Sequence, residues 1–310
     1  DDAIQPLVIR ANLGDCVELQ FANDASGGEY GVHIDGLSFD MGSSGDAVGN
    51  NAPPAAARGE SRTYRYYVPE EPELEGAHYM RPGPGNRQAV AHGLFGTLLV
   101  EPQGSEYLDR DSGEPIESGW EAMIVPDGKK AFREYAIIQH EIGDESADVI
   151  DRAGEPLPVV HPLTDGYRPG SRAMNYRSEP FMRRLERNGR MKSNAYGSYA
   201  FGDPATPMPR SYQGDPTKMR ILHGGSETFH VYHLHGGAIR WRFNPHADTT
   251  FDYQDTGLNK HPAVAQSPSS RLDSQSTGPG QSFDLQVENG AGGGPAGAGE
   301  VLFPCHHAEP

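Results

Sequence analysis

The sequence repeats itself at an offset of 200 residues, and this repeat restricts the folds open to the chain. The segment ANLGDCVELQFAND, starting at Ala11, aligns without a gap with SYQGDPTKMRILHG, starting at Ser211. Further on, HIDG at His33 aligns with HLHG at His233. In both copies a Gly-Asp turn precedes alternating apolar and polar residues, the pattern of a half-buried antiparallel strand. The sequence therefore predicts two copies of one β domain.

Composition and length agree with that prediction. The 310 residues include Gly 39 and Pro 26, with 35% hydrophobic residues, which favours a loop-rich all-β protein. The chain is long enough for two domains that each bury a core. We predict a first domain at residues 1–125 and a second at 126–310, with a long insertion at about 143–210. Residues 103–125 are polar and turn-rich, which predicts a connector. REYAIIQHEI at 133–142 predicts the first strand of the second domain, and MRRLERNGRM predicts a short helix in the insertion.

The second copy is shorter than the first. The first copy ends in an apolar closing strand, HGLFGTLLVEP at 92–102, whereas the second reaches Pro310 without an equivalent segment. An unclosed sheet edge exposes core residues and unpaired backbone groups. We therefore expect the natural polypeptide, or a partner chain, to supply the missing strand.

Two short strings carry the candidate chemistry. FHVYHLHGG contains His230, His233 and His235, and LFPCHH contains Cys305 and His306. Because successive side chains on a strand alternate between its faces, His233 and His235 share one face and His230 lies on the other. The same parity separates Cys305 from His306. We expect Cys305 to join His230, and His306 to join the other two histidines.

These two sets of donor atoms suit two kinds of copper site. A thiolate with an imidazole suits a type 1 copper, whereas imidazole alone suits a copper that handles dioxygen. For His230 and Cys305 the alternatives are zinc, or a buried thiol beside a hydrogen-bonded histidine. A disulfide between Cys16 and Cys305 would consume the thiol, so we expect both cysteines to be reduced.

The histidine motifs resemble those of the multicopper oxidases, a family of linked cupredoxin domains. The family motifs run HxHG, HxH, HxxHxHG and HCHxxxH; HIDG, HYM, HVYHLHG and PCHHAEP fill these places in order. The segments AHGLFGTLLVEP and TGPGQSFDLQV are also similar to family segments. The resemblance implies two cupredoxin-like Greek-key β-sandwich or barrel domains, the second without its closing strand. MNYRSEP, DPATPMPRSYQGDP and the HLHGG strand resemble segments of large multi-domain bacterial oxidases linked to manganese.

The resemblance also implies roles for these residues. It makes His230 and Cys305 ligands of a type 1 copper in the second domain. It assigns His233, His235 and His306 to part of a trinuclear copper cluster. Electrons from a substrate would enter at the type 1 copper and pass through Cys305 to the cluster, where dioxygen is reduced to water. The first domain is expected to hold no type 1 copper.

Three positions depart from the family pattern. Asp35, Met80 and Pro304 stand where the family has cluster histidines. His33 and His78 are therefore each left without the usual partner, and we expect both to be hydrogen-bonded structural residues. Five of the eight cluster positions keep a histidine and three lose it, so this chain alone cannot make a complete cluster. The remaining histidines are either part of a larger assembly or vestigial.

The last residues of the sequence lack a second type 1 histidine. The family's second type 1 histidine is expected five residues after the cysteine, where Pro310 stands, and His307 has no place in the pattern. We expect the second type 1 histidine and the axial ligand either to be absent or to lie beyond this sequence. A working oxidase would then need further cupredoxin domains or subunits.

Three functions are compatible with these motifs. The first is part of a copper-dependent multicopper oxidase that oxidises a small reductant, such as manganese, another metal ion or a phenol, with dioxygen as acceptor. The second is a degenerate cupredoxin pair that acts as a structural or interaction module of a larger assembly. The third is a type 1 electron-transfer protein or a nitrite-reductase-like protein.

Charge and hydropathy restrict the partners. A formal net charge of -17 argues against nucleic acid as a partner. No stretch of the sequence approaches the roughly 18 apolar residues of a membrane span. Because copper enzymes of the resembled family usually work outside the cytoplasm, the resemblance implies an extracellular, periplasmic or cell-surface location.

Overall fold

The chain folds as an all-β protein, which confirms the predicted fold class. Seventeen strands and one short α-helix lie among the described residues. In that part of the chain, no helix has the length and apolar character needed to cross a membrane. The computed structural model describes residues 4–46, 49–50, 54–83, 87–141, 172–177, 206–225, 229–235, 241–243, 271–293 and 298–305.

Seven strands form the first sandwich: β1 (Leu7–Asn12), β2 (Cys16–Ala22), β3 (Val32–Ile34), β4 (Ser38–Phe39), β5 (Ser61–Tyr67), β6 (Gly76–Pro82) and β7 (Gly96–Glu101). One sheet has the order β1-β7-β6-β3 and the other β2-β5-β4. Their facing side chains share one apolar core, which includes Ile34, Tyr66 and Leu98. Helix α1 (Arg87–Ala91) and two 3-10 turns, Met41–Ser43 and Pro72–Leu74, connect the strands.

Ten strands form the second sandwich: β8 (Glu106–Leu108), β9 (Glu121–Val125), β10 (Phe132–Glu141), β11 (Arg172–Met174), β12 (Thr217–His223), β13 (His230–His233), β14 (Trp241–Phe243), β15 (Arg271–Leu272), β16 (Ser274–Thr277) and β17 (Ser282–Val287). The large sheet runs β15-β14-β17-β12-β10-β9-β8, with β11 beside β10, and the small sheet pairs β13 with β16. The core between them includes Ile137, Ile221 and Tyr232. A 3-10 turn, Ala291–Gly293, follows β17.

The same turn opens an equivalent strand in each sandwich. The Asp15 N–H donates to Asn12 O at 3.0 Å, and the Asp215 N–H donates to Tyr212 O at 3.1 Å. In return, the Asp15 carboxylate accepts a hydrogen bond from the Asn12 N–H at 2.7 Å, and the Asp215 carboxylate accepts one from the Tyr212 N–H at 3.2 Å. The preceding glycines have φ of 90° and 83°, a region that favours glycine. The antiparallel pairs β2–β5 and β12–β17 follow, so the predicted repeat is confirmed.

The segment between the two copies contributes to the second sandwich. Residues 103–125, expected to be a connector, include β8 and β9, which extend the large sheet beyond β10. The strand predicted from REYAIIQHEI is β10, and all ten of its residues are buried. The domain division between 125 and 126 stays a prediction. Most of the insertion at 143–210, including the helix expected in MRRLERNGRM, lies outside the described residues.

The two sandwiches pack through one face of each large sheet. Val8 and Leu99 of the first sandwich meet Ala136 of the second in an apolar contact. Beside them, Tyr79 OH donates to Gly224 O at 2.9 Å. This packing explains why β10 is buried on both faces.

A buried ion cluster lies in the same interface. Its centre is the Arg220 guanidinium, which contacts Glu134 Oε1 at 2.7 Å and Glu101 Oε2 at 3.0 Å. Burial opposes ionisation of Glu134, but Arg10 and Arg220 outweigh it and lower its pKa. Burial raises the pKa of Glu101. The cluster consists of three cations and four carboxyl groups drawn from both sandwiches: Arg10, Lys218, Arg220, Glu75, Glu101, Glu134 and Asp284.

Candidate metal centre

The chain brings Cys305 to His230 through backbone pairing. Cys305 forms an antiparallel bridge with Tyr232 in β13. The His233 N–H donates to Pro304 O at 3.2 Å, which continues the same pairing. Since residues bridged on antiparallel strands point to the same face, the Cys305 side chain lies on the His230 face of β13. The predicted strand parity accounts for this placement.

The sulfur and the imidazole lie in contact. Cys305 Sγ is 3.5 Å from His230 Nδ1, and it accepts a hydrogen bond from the Val231 N–H at 3.3 Å. Cys305 and Cys16 are not joined by a disulfide. Ligand distances of about 2.0 Å for nitrogen and about 2.3 Å for sulfur let one ion contact two donors at this separation. The donor atoms therefore fit a single soft metal ion.

His230 is also bound on its other side. Its Nε2 is 3.3 Å from Glu141 Oε1, and His223 Nε2 is 3.6 Å from the same oxygen. All three side chains are at most 3% exposed. Burial opposes protonation of His230, but hydrogen bonds to Cys305 and Glu141 outweigh it and raise its pKa. Sequence reasoning assigned no role to Glu141 or His223.

Neighbouring His140 is a structural residue by its contacts. Its Nδ1 faces Glu141 O at 2.9 Å, and its Nε2 accepts the Tyr176 N–H at 3.0 Å. Burial lowers the pKa of His140 to about 4. Both nitrogens of the neutral ring therefore have hydrogen-bond partners, and the bond to Nε2 holds Tyr176 against β10.

His233 and His235 form a second pair on the opposite face of β13. Their ring centroids are 4.5 Å apart. The His233 Nδ1 contacts the Asp273 carbonyl oxygen and lies 2.7 Å from Ser274 Oγ. His306 and His307 lie outside the described residues, so the predicted union of His306 with this pair stays a prediction.

His33 lies in the first sandwich, where it is held by acidic neighbours. His33 Nε2 is 3.1 Å from Asp35 Oδ1, and Asp46 Oδ2 is 3.8 Å from His33 Nδ1. The Ser44 carbonyl oxygen contacts the same Nδ1. The hydrogen bond to Asp35 is the largest effect on His33, and it raises the imidazole pKa although burial opposes protonation. Asp35 stands where the resembled family has a histidine, and it binds His33, the histidine that this motif keeps.

His78 has backbone partners on both ring nitrogens. His78 Nδ1 is 3.0 Å from Asp35 O, and Nε2 is 2.8 Å from Leu74 O. Neither nitrogen points at another histidine among the described residues. The contacts of His33 and His78 match hydrogen-bonded structural roles, and the two roles stay predictions.

Replacing Asp35 tests the pairing in the first sandwich. We expect Asp35→Asn to lower the pKa of His33, because it removes the charge that stabilises the imidazolium. The raised pKa contributes stability below about pH 6.5 that is lost as pH rises through the folded pKa, and this contribution shrinks in the variant. An NMR titration of the His33 ring measures the change. Asp46→Asn is the matched control, and it should lower the pKa of His33 by a smaller amount. An unchanged His33 pKa in Asp35→Asn would contradict the pairing.

Three solved structures similar to this chain are copper proteins by name. The multicopper oxidase mgLAC has a TM-score of 0.57 at 18% identity, over 98% of this chain and 71% of that one. A blue copper oxidase from Nitrosomonas europaea has a TM-score of 0.53 at 16% identity, over 98% and 71%. A copper nitrite reductase from the same organism has a TM-score of 0.51 at 16% identity, over 92% and 74%. No protein-family model matches the sequence, and no curated protein matches it.

At these identities the similarity establishes the fold. The chain has the linked cupredoxin-like β-sandwiches of the multicopper oxidases, so the resemblance predicted from the histidine motifs is confirmed at the level of fold. The similarity to manganese oxidases stays a prediction.

Proposed function

We propose that this chain is a cupredoxin-type copper oxidoreductase unit, in which His230 and Cys305 hold a type 1 copper that accepts single electrons from a small reductant. The observation that carries this proposal is the 3.5 Å contact between Cys305 Sγ and His230 Nδ1. The fold supports it, because the similar solved structures named above are copper oxidases and a copper nitrite reductase.

The residues around the two donors suit this role. Copper bound by thiolate and imidazole supplies reversible one-electron redox chemistry. The Val231 N–H stabilises negative charge on Cys305 Sγ by a hydrogen bond. Tyr232, fully buried, and Phe303 pack against each other with ring centroids 6.3 Å apart. Phe303 and Val301 are partly buried against the same apolar core.

Dioxygen reduction is a second candidate function, favoured by the His233–His235 pair. Two imidazoles on one strand face offer nitrogen donors of the kind that suit an oxygen-handling copper. His306 would add a third donor, joined directly to Cys305 through the chain. The His33–Asp35 pair weighs against a copper at the equivalent place in the first sandwich. Oxygen reduction would therefore need histidines from further cupredoxin domains or subunits.

The remaining features of the proposal follow from the resemblance. The reductant would be a metal ion, such as Mn(II), or a phenol. The location would be extracellular, periplasmic or on the cell surface.

Copper loading tests the proposed function. We expect the full-length natural protein, once reduced, to take up one copper at the His230–Cys305 site, turn intensely blue on oxidation, and bleach when one electron is added. Visible spectroscopy with copper analysis measures this. A copper-loaded chain without blue colour, or a chain that takes up no copper, would contradict the proposal.

Oxygen consumption separates the two candidate functions. A blue full-length protein, assayed in its natural assembly, that consumes dioxygen in the presence of a phenol or Fe(II), beyond the rate of free copper, supports the oxidase. A blue chain that exchanges electrons without consuming dioxygen supports the electron-transfer unit.

A further inference from the structure

We propose that Glu141, oriented by His223, is a positioning residue that directs Nδ1 of His230 toward the copper held with Cys305. This inference rests on the proposed function. It assigns a purpose to two buried polar residues that the histidine motifs do not include. Glu141 is 3% exposed and His223 is fully buried, so neither side chain is placed there for contact with solvent.

The two nitrogens of His230 have different partners. Nε2 is 3.3 Å from a carboxylate oxygen of Glu141, and Nδ1 is 3.5 Å from Cys305 Sγ. A carboxylate only accepts, so Nε2 carries a proton in this contact. In the neutral ring Nδ1 is then the nitrogen whose lone pair is available to a metal ion. The carboxylate thus selects which nitrogen of the ring is available as a ligand.

The backbone around His223 fixes the proton on the second ring. The Gly225 N–H donates to His223 Nδ1 at 3.1 Å, so Nδ1 accepts and the neutral ring carries its proton on Nε2. That proton faces Glu141 Oε1 at 3.6 Å, which is longer than a hydrogen bond and acts as an electrostatic contact. Two N–H groups therefore converge on one buried carboxylate oxygen.

Glycine at position 225 is required by the same arrangement. A Cβ built on Gly225 would overlap Oε2 of Glu141 and approach the His223 ring at 3.0 Å. The His-Gly-Gly sequence at 223–225 lets the backbone come close enough to bind His223 and leaves room for the carboxylate. Gly225→Ala should displace Glu141 without changing its chemistry.

A second metal ion held by Glu141, His223 and His230 is the competing interpretation, since their donor atoms lie within 4.8 Å of one another. To bind an ion through Nε2, His223 would need its proton on Nδ1, where the Gly225 N–H already points. His230 would in turn need to give up both ring protons to hold two ions. The hydrogen-bond directions therefore favour positioning over ligation.

The carboxylate has two expected effects on the copper. It keeps the His230 ring in one orientation and makes its Nδ1 more basic, so it strengthens copper binding. Its negative charge also favours the more positive oxidised ion. Removing the carboxylate should weaken copper binding and raise the reduction potential.

The test compares variants of the full-length natural protein by copper affinity, reduction potential and imidazole ¹⁵N NMR of the metal-free protein at alkaline pH. Outer-shell partners typically account for 10–100-fold in metal affinity, so we expect Glu141→Leu to weaken copper binding about 10–100-fold and to raise the potential. It should also remove the preference of His230 for a proton on Nε2. The copper affinity and potential of Glu141→Gln should lie between those of Glu141→Leu and wild type. Gly225→Ala should show the same changes as Glu141→Leu.

Gln139→Leu is the matched control. Gln139 is fully buried on the same strand and bonded to Thr277 Oγ1 at 3.2 Å, so its loss perturbs β10 without touching the carboxylate. It should keep the wild-type affinity, potential and His230 tautomer.

Three results would overturn the inference, and each differs from failure of the proposed function. The first is a Glu141→Leu variant whose copper affinity and reduction potential equal those of the wild type. Another is an unchanged His230 tautomer in that variant, which is observed without copper. The third is a second bound metal, tested with zinc, that survives Cys305→Ser and disappears in Glu141→Leu. If the wild-type chain takes up no copper, the proposed function fails, and the metal-free NMR still tests the hydrogen bond.

Discussion

Cys305→Ser should abolish the blue colour of the copper-loaded chain completely. The colour of a blue copper site arises from the copper–thiolate bond, and a serine hydroxyl neither ionises at neutral pH nor offers a soft donor atom. The substitution removes the one sulfur that lies 3.5 Å from His230 Nδ1. Visible absorption and copper content, measured on the same samples, give the result.

Cys16→Ser is the matched control for that variant. Cys16 is exposed on β2 in the first sandwich, far in the sequence from β13, so its loss should leave the blue colour unchanged. Circular dichroism and thermal unfolding show whether Cys305→Ser keeps the fold. Blue colour that persists in Cys305→Ser, or that is lost in Cys16→Ser, would contradict the site.

Arg220→Met should destabilise the chain by about 3–5 kcal/mol, because it leaves the carboxylates of the ion cluster without their central cation. Arg220 is fully buried and contacts Glu75 and Glu101 from the first sandwich as well as Glu134 and Asp284 from the second. The midpoint of chemical denaturation should fall accordingly. Arg220→Lys should have an intermediate effect, since an ammonium group cannot reproduce the planar fork of the guanidinium.

Arg65→Met provides the comparison for a surface ion pair. Arg65 pairs with Glu18 at 3.0 Å, but the two side chains are 65% and 50% exposed. Solvent screens such pairs, so we expect a change within about 0.5 kcal/mol. Equal effects in Arg220→Met and Arg65→Met would contradict the claim that the ion cluster holds the sandwiches together.

The fold could be predicted from local patterns, and the His230–Cys305 contact from strand parity together with the resemblance of the histidine motifs. Alternation along a strand determines which side chains share a face. The repeat shows the same strand pattern in both halves of the chain, which predicts the same fold for each. The same parity placed His233 beside His235, and the Gly-Asp turns marked where β2 and β12 begin.

Glu141 and His223 were not predictable in this way. They come together because β10 and β12 pair in parallel, with Gln139 opposite His223. This register joins positions more than eighty residues apart. A single polar residue at the end of a strand gives no local sign of such a partner. The signal that could have found them is the His-Gly-Gly sequence, which indicates close backbone packing.

The ion cluster escaped prediction for a different reason. Alternation predicts that charged residues such as Glu134 and Arg220 face solvent. In the structure that face of the sheet is covered by the first sandwich. Glu134 therefore pairs with Arg10, and Arg220 pairs with Glu101. The sequence of residues 103–125 predicts a connector because β8 and β9 are short strands with polar neighbours, as is common at a sheet edge.

Copper-edge X-ray absorption of the copper-loaded chain tests the pairing of Cys305 with His230 most directly, because it reports which elements surround the ion. We predict one short copper–sulfur bond together with imidazole nitrogen, and loss of the sulfur signal in Cys305→Ser. A copper surrounded only by nitrogen and oxygen in the wild-type chain would show that the sulfur and the imidazole do not share an ion.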